Sequence, residues 1–438
     1  MSISDLQPWP QSSTAWRWLN RLYRSRFVRS VATLSSGQTV AATLPILAAP
    51  ILGRLYFPSD YGILAAYMAF ANVLGTLSTL QLQHGIIAEA SEGRAFALIG
   101  VCTSSALGIA FLSALIGGML AVFVALPETI NAWFLFLPIT TVLSGYVAGA
   151  TAFANRRAAY ASIVTIQIAS TALTVGASIV FGFAGWRASG LLSSYFLGQA
   201  ITLIGYMWLM GSLVPRPRQT SLTRKLHLAY SHRRFAVYTL PGQLLSAVSL
   251  QLPVFALTSF GAATLLGYYN RANALIRMPV RMVSSAIARV FRQRAAEDFR
   301  AKGNCKAIYQ KTFLALLAVG LPSTILLMIF APDLLEFVLG PHWREAGELA
   351  RIMAPMLLLR LLSAPLSSVF LFSGAQKQSF VIMASSAALT ALLVFLPLIV
   401  GLQPEYAIYG FISSYSITYA IYLIASYRIA TGSEPPKL

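Results

Sequence analysis

Long apolar runs separated by short polar stretches set the architecture of this chain. Twelve stretches, 31–53, 62–82, 96–125, 131–154, 160–183, 187–212, 235–258, 262–290, 311–331, 346–373, 378–401 and 405–427, have the apolar character of bilayer-crossing segments. Each is near the roughly 20 residues that a helix needs to cross the hydrocarbon core. Their apolar positions run continuously instead of alternating, which predicts helices and excludes a membrane β-barrel. The longest polar link, 213–234, is rich in proline and arginine (Pro215, Arg216, Pro217, Arg218) and divides the runs into two sets of six. The expected organisation is a cytoplasmic amphipathic segment over 1–30, a six-helix lobe over 31–212 and a basic cytoplasmic linker over 213–234. A second six-helix lobe over 235–427 and a cytoplasmic tail over 428–438 complete it.

An internal echo agrees with duplicated halves. Gly37-Gln38 opens the first run and Gly62 follows 25 residues later; Gly242-Gln243 opens the seventh and Gly267 follows 25 residues later. At the same offset of 205, Glu92 aligns with Glu297. Parallel duplicated halves are a common transporter plan, with the substrate site between them.

Composition sharpens this picture. Apolar residues make up 57% of the 438 and charged residues only 10%, with a mean hydropathy of +0.69. Soluble domains carry about 25% charged residues. The spans use most of the chain, which leaves no room for a separate soluble catalytic domain. Net charge is +19, from 32 Lys and Arg against 13 Asp and Glu. The positive-inside rule accounts for most of that excess, so nucleic acid is not an expected partner. With both termini cytoplasmic, 23 basic residues fall in cytoplasmic segments and three (Arg54, Arg187, Arg344) in outside loops. Two cysteines, Cys102 and Cys305, offer no disulfide framework, and the four histidines show no metal-ligand spacing. The first 30 residues carry five arginines and three tryptophans but no apolar h-region, which predicts an interfacial lead-in in place of a cleaved signal peptide.

The other six basic residues fall inside spans, and the eighth is the richest. It carries Tyr268-Tyr269-Asn270-Arg271, Arg277, Pro279, Arg281 and Arg289. At 100° per residue the four arginines and Asn270 share an arc of about 120°. Arg271 and Arg277 lie roughly 13 Å and 22 Å from the outer end, too deep to snorkel easily. Arg360 is similarly deep in the tenth span. A lipid-facing arginine at mid-bilayer costs at least about 2.5–3.5 kcal/mol. The acidic residues all fall in tails, loops or span edges, so no carboxylate within a span offsets these charges. Arg271, Arg277, Arg281, Arg360 and Asn270 are therefore the candidate ligands of an anion in a hydrated cavity, with phosphate or pyrophosphate the best match to a guanidinium fork. Tyr268 and Tyr269 are candidate glycan contacts, against the plainer reading of tyrosines as interface anchors. Pro45, Pro50, Pro253 and Pro279 are candidate hinge positions, because proline removes a helix donor and tends to kink the span. No Walker A loop, Gly-x-Ser-x-Gly elbow or Asp-x-Asp metal motif occurs.

Several segments carry a family resemblance. Leu52-Gly53-Arg54-Leu55-Tyr56-Phe57-Pro58-Ser59-Asp60-Tyr61-Gly62 resembles the segment after the first helix of bacterial polysaccharide flippases. Gly267-Tyr268-Tyr269 through Ile276, Pro279 and Ser285-Ala286-Ile287 is similar to their eighth-helix segment. Ala331-Pro332-Asp333, Leu339-Gly340, Trp343, Glu345-Ala346, Ala354-Pro355, Pro365-Leu366 and Gly374-Ala375-Gln376-Lys377 fit in order. The resemblance is to Wzx-type O-antigen and exopolysaccharide translocases, of the multidrug, oligosaccharidyl-lipid and polysaccharide exporter superfamily. It implies an all-α polytopic membrane protein with two six-helix lobes around a central cationic cavity, in a bacterial inner membrane. It implies that an undecaprenyl-pyrophosphate-linked oligosaccharide is flipped from the cytoplasmic to the periplasmic leaflet by alternating access, without covalent chemistry. Expected partners are that lipid-linked glycan, membrane lipids and the polysaccharide polymerase and chain-length machinery. A monomer is expected, since both lobes are in one chain. No cofactor is expected, and whether an ion, H+ or Na+, is coupled to transport stays open, since the spans lack the acidic residues through which some relatives are thought to couple.

Three other readings are weighed against this one. A multidrug exporter of the same superfamily commonly needs buried carboxylates, which the spans lack. A lipid II-type exporter is a nearer rival, because its cargo also carries pyrophosphate. A membrane polysaccharide polymerase or ligase commonly displays a large outside loop, whereas the longest here is 332–345.

Overall fold

A computed structural model of the chain describes residues 26–123, 132–214 and 221–432, without the side chains of 26–36, 120–123, 222, 276–283, 285 and 286. Most of the predicted 1–30 segment thus lies outside the described residues, as do the side chains of Arg277, Pro279 and Arg281.

The described chain is helical. The first lobe holds α1 (Arg26–Leu47), α2 (Ala49–Leu55), α3 (Pro58–Ser78), α4 (Gln83–Ala88), α5 (Glu92–Phe123), α6 (Leu137–Arg156), α7 (Tyr160–Phe183) and α8 (Arg187–Leu213). A short helix α9 (Leu222–Ser231) leads into the second lobe: α10 (Leu240–Ser259), α11 (Ala263–Lys302), α12 (Lys306–Leu339), α13 (Arg344–Leu366), α14 (Val369–Phe372), α15 (Gln376–Val400) and α16 (Glu405–Ala430). Eleven spans among the described residues are long and apolar enough to cross a membrane. The predicted eighth span is α11. It has the length, at 40 residues, but its basic residues lower its apolarity.

Proline and left-handed residues shape the ends of the spans. The first span breaks at Ala48, between Pro45 and Pro50, into α1 and α2. Pro253, by contrast, sits inside a continuous α10, and the α11 backbone is helical through position 279. Past α3 the chain turns through Leu80 and Gln81 at φ 49° and 60°. These strained positions for residues with a Cβ are held by Gln81, whose amide donates to the Thr76 carbonyl.

Close helix packing uses glycine. A Cβ on Gly145 would overlap Ala106, and one on Gly149 would press on Ile99 at 3.3 Å, so α5 and α6 meet along the small-residue stripe. The two lobes meet chiefly where α3 packs against α11 and α10, and where α2 packs against α12. At the first crossing a Cβ on Gly62 would overlap the Ala263 carbonyl, and one on Gly267 would overlap that of Pro58. A Cβ on Gly53 would lie 2.7 Å from the Leu339 carbonyl oxygen. Phe70 of α3 meets Phe255 of α10 at 4.9 Å between ring centroids. Both cysteines are free and buried. Desolvation, with Asp298 nearby, pushes the Cys305 thiol up to about 11, which leaves it a protonated packing group.

Candidate functional site

The junction of the lobes is organised around Trp343. Its ring is fully buried, and its Nε1–H donates to the Gly53 carbonyl at 2.8 Å, tying the loop before α13 to α2 of the other lobe. Arg54, next along α2, donates to the Val338 and Phe337 carbonyls at 3.1 and 3.2 Å. These carbonyls end α12 and have no partner within the helix, so an arginine from the opposite lobe caps them. Tyr61 of α3 stands edge-on to Trp343, with ring centroids 5.5 Å apart, and edge-on to Tyr56 at 6.2 Å. Asp60 fixes that turn: its carboxylate accepts from the Phe57 amide at 2.9 Å and the Ala188 amide at 3.1 Å. Among the described residues Asp60 is the one carboxylate buried at this end, and backbone donors engage it.

Arg271 reaches this aromatic floor from α11. Its Cζ lies 4.3 Å from the centroid of Tyr61 and 6.0 Å from that of Trp343. A cation over a ring face gains about 0.5–2 kcal/mol, more as it is desolvated. Arg271 forms no ion pair among the described residues, and its Nε and Nη2 are buried without a hydrogen-bond partner. The Tyr61 hydroxyl is likewise buried and unpartnered. Nε and Nη2 form one edge of the guanidinium, the edge that grips two oxygens of a carboxylate or phosphate side by side. Leaving a buried donor unmatched is unfavourable by about 1–3 kcal/mol, more for a charged group. The arrangement is thus an unmatched guanidinium edge held against an aromatic face at a contact between lobes.

The other candidate residues separate from it. Tyr268 meets Trp343 at 6.3 Å and belongs to the same cluster. Tyr269 is 1% exposed and packs edge-on to Phe411 in an apolar core that the second lobe shares with Ala65, Ala66 and Ala69 of α3. One residue step turns a helix by 100°, which is why adjacent tyrosines part company. Asn270 is partly buried on α11, and Arg360 is partly buried on α13. Arg289 is exposed. Arg344 pairs with Asp333 at 2.9 Å and with Glu336, between the start of α13 and the end of α12.

No local sequence pattern marks Tyr61 and Trp343 as site residues, although both stand in the stretches that carry the family resemblance. A second unforeseen cluster lies at the opposite end of the first lobe. Buried Glu89 accepts from Arg94 at 3.0 Å and faces His232 at 3.6 Å, while Arg156 donates to the Ile86, Ile87, Glu89 and Ala90 carbonyls. His232 follows α9, so this cluster docks the connection between lobes onto the first of them.

Known proteins agree with the fold. Residues 51–348 match the profile of a family described as polysaccharide biosynthesis protein. The chain superimposes on lipid II flippase MurJ in an inward closed conformation with a TM-score of 0.69 at 12% identity, over 91% of this chain and 89% of that one. A multidrug, oligosaccharidyl-lipid and polysaccharide superfamily transporter from Pyrococcus furiosus gives 0.54 at 13% identity, over 92% and 96%. The multidrug transporter DinF-BH gives 0.53 at 17% identity, over 91% and 92%. No curated protein sequence matches the chain. These neighbours are transporters and flippases, not enzymes.

Proposed function

The chain belongs to the polysaccharide biosynthesis protein family, and from that premise we propose that it flips undecaprenyl-pyrophosphate-linked oligosaccharide repeat units from the cytoplasmic to the periplasmic leaflet. The observation that carries this reading is the unpartnered Nε–Nη2 edge of Arg271, held on Tyr61 where the lobes meet. A diphosphate supplies the paired oxygens that this edge fits. The likeness to a flippase whose named cargo is lipid II supports a lipid-linked substrate.

The geometry also suggests how binding and movement are linked. The guanidinium edge is covered while α3 and α11 are in contact. An anion that takes the edge compensates the buried charge and competes with that contact, so binding favours parting of the lobes at this end. A ligand shifts such an equilibrium only through its differential affinity for the two states, and Arg271 is where the two states differ. Arg277, Arg281 and Arg360 extend the anion path, Asn270 and Tyr268 meet the glycan, and the break between Pro45 and Pro50 with Pro253 and Pro279 gives the helices their bending points. The termini are cytoplasmic and the membrane is a bacterial inner membrane. The protein works as a monomer and delivers its product to a polymerase with its chain-length machinery.

Deleting the gene tests this reading. Complete repeat units should accumulate on polyprenyl lipid in the cytoplasmic leaflet, with surface polymer lost and restored by the wild-type gene but not by Arg271→Glu. Periplasmic accumulation of unpolymerised units would overturn it.

A further inference from the structure

The second lobe carries a groove far from the lobe junction. It lies between α12 and α16, over Leu359 of α13, and has a volume of about 1170 Å³. Helix α13 packs on α11 by one side and on α12 and α16 by others. Since α11 faces the opposite lobe, the groove opens on the outer flank of the bundle, toward lipid. Leu314 and Ile424 on its walls are 61% and 57% exposed, an apolar surface that suits acyl chains.

Its polarity changes along its length. Lys306 at the start of α12 and Arg428 near the end of α16 stand at one end. Leu314 and Ala420, eight residues further along each helix, stand about 12 Å deeper at 1.5 Å per residue. The cationic end is the one that the distribution of basic residues assigns to the cytoplasm. The groove is built there as well: Tyr309 of α12 donates to the Leu423 carbonyl at 3.1 Å, and the Gln310 amide donates to the Tyr427 hydroxyl at 3.2 Å. These bonds fix the spacing of the two helices beneath the cations.

We propose that this groove is a binding site for an anionic glycerophospholipid of the cytoplasmic leaflet, with its phosphate between Lys306 and Arg428 and an acyl chain along Leu314 and Ile424. Two cations at headgroup level above an apolar trough match that ligand in charge and in depth. A zwitterionic lipid matches only the trough. The site is separate from Arg271 and does not depend on the transport reading.

Native mass spectrometry of the purified full chain tests it, with dioleoyl phosphatidylglycerol and dioleoyl phosphatidylcholine as probes. Wild type should retain phosphatidylglycerol preferentially. Lys306→Gln/Arg428→Gln should lose that preference by roughly ten-fold or more, the effect of removing two interfacial cations. Lys302→Gln/Lys377→Gln, with the same change in net charge at exposed positions, should keep it. Leu314→Trp/Ile424→Trp, which fills the trough and leaves both cations, should lower retention of both lipids. Equal retention of the two lipids by wild type would overturn the proposal. So would a Lys306→Gln/Arg428→Gln variant that behaves as wild type. Undecaprenyl diphosphate displacing phosphatidylglycerol at equal concentration would also overturn it, by assigning the groove to cargo.

Discussion

Gly62 and Gly267, 205 residues apart, form the two halves of one reciprocal crossing: each packs on the backbone of the helix start that precedes the other. Gly62 meets Ala263 and Gly267 meets Pro58, and Ala263 is itself 205 residues from Pro58. The echo in the sequence is therefore a contact between α3 and α11, and only residues without a side chain fit it. The other echoed glycines do not share a setting. A Cβ on Gly37 would overlap Val164, whereas one on Gly242 would meet only Met383, at 4.0 Å.

Gly62→Ala and Gly267→Ala should each wedge the crossing. Overpacking of this kind is unfavourable by about 1–3 kcal/mol. Thermal unfolding in detergent should show a lower midpoint for each variant. The double variant should lose less than the sum, because both changes act on one contact.

Tyr61→Phe keeps the ring under Arg271 and removes a buried hydroxyl that has no partner. It should match or slightly exceed wild-type stability. Tyr61→Leu removes the cation–ring attraction and should be less stable by about 1 kcal/mol. Equal melting curves for Phe and Leu at this position would show that Arg271 gains nothing from the ring.

Trp343→Phe leaves the Gly53 carbonyl without its donor. A buried acceptor so stranded is destabilising by about 1–3 kcal/mol. Arg54→Lys should weaken the same junction, since an ammonium lacks the planar fork that spans two carbonyls. Unfolding monitored by tryptophan-independent far-UV dichroism measures both.

Glu89→Ala should loosen the connection between lobes. It removes the acceptor of Arg94 and of the Ala90 and Ser91 amides, and with it the carboxylate that faces His232. Trypsin should then cut faster at exposed Arg233 and Arg234, while sites at Lys302 and Lys306 are cut at an unchanged rate. Equal rates at both places would show that the cluster does not restrain this connection.

The spans were legible because hydrocarbon thickness fixes their length and lipid requires their apolarity. The predicted 160–183 coincides with α7, and the break of the first span follows from Pro45 and Pro50. Helix α9 was not legible: its ten residues, including Arg224, Lys225 and His227, read as a solvated link. Its docking depends on Leu228, buried against the first lobe, and on Lys225, which donates to Ser104 at 3.4 Å. Arg271 stood out because a deep unpaired charge is unfavourable in any membrane setting. Its aromatic floor did not, because Tyr61 and Trp343 are far apart in sequence and meet only when the lobes close together. Local periodicity carries helix faces, whereas contacts between lobes depend on tertiary packing.

Reconstituted transport tests the central claim most directly. Proteoliposomes containing the purified chain would be loaded in one leaflet with a radiolabelled undecaprenyl-pyrophosphate oligosaccharide, and its appearance in the other leaflet followed by enzymatic access to the glycan. The account predicts movement with wild type, and a loss of ten-fold or more with Arg271→Gln, in line with about 1.5–3 kcal/mol for a charge-assisted hydrogen bond. A wild-type chain that leaves the lipid where it started, or an Arg271→Gln variant that moves it at the wild-type rate, would contradict it.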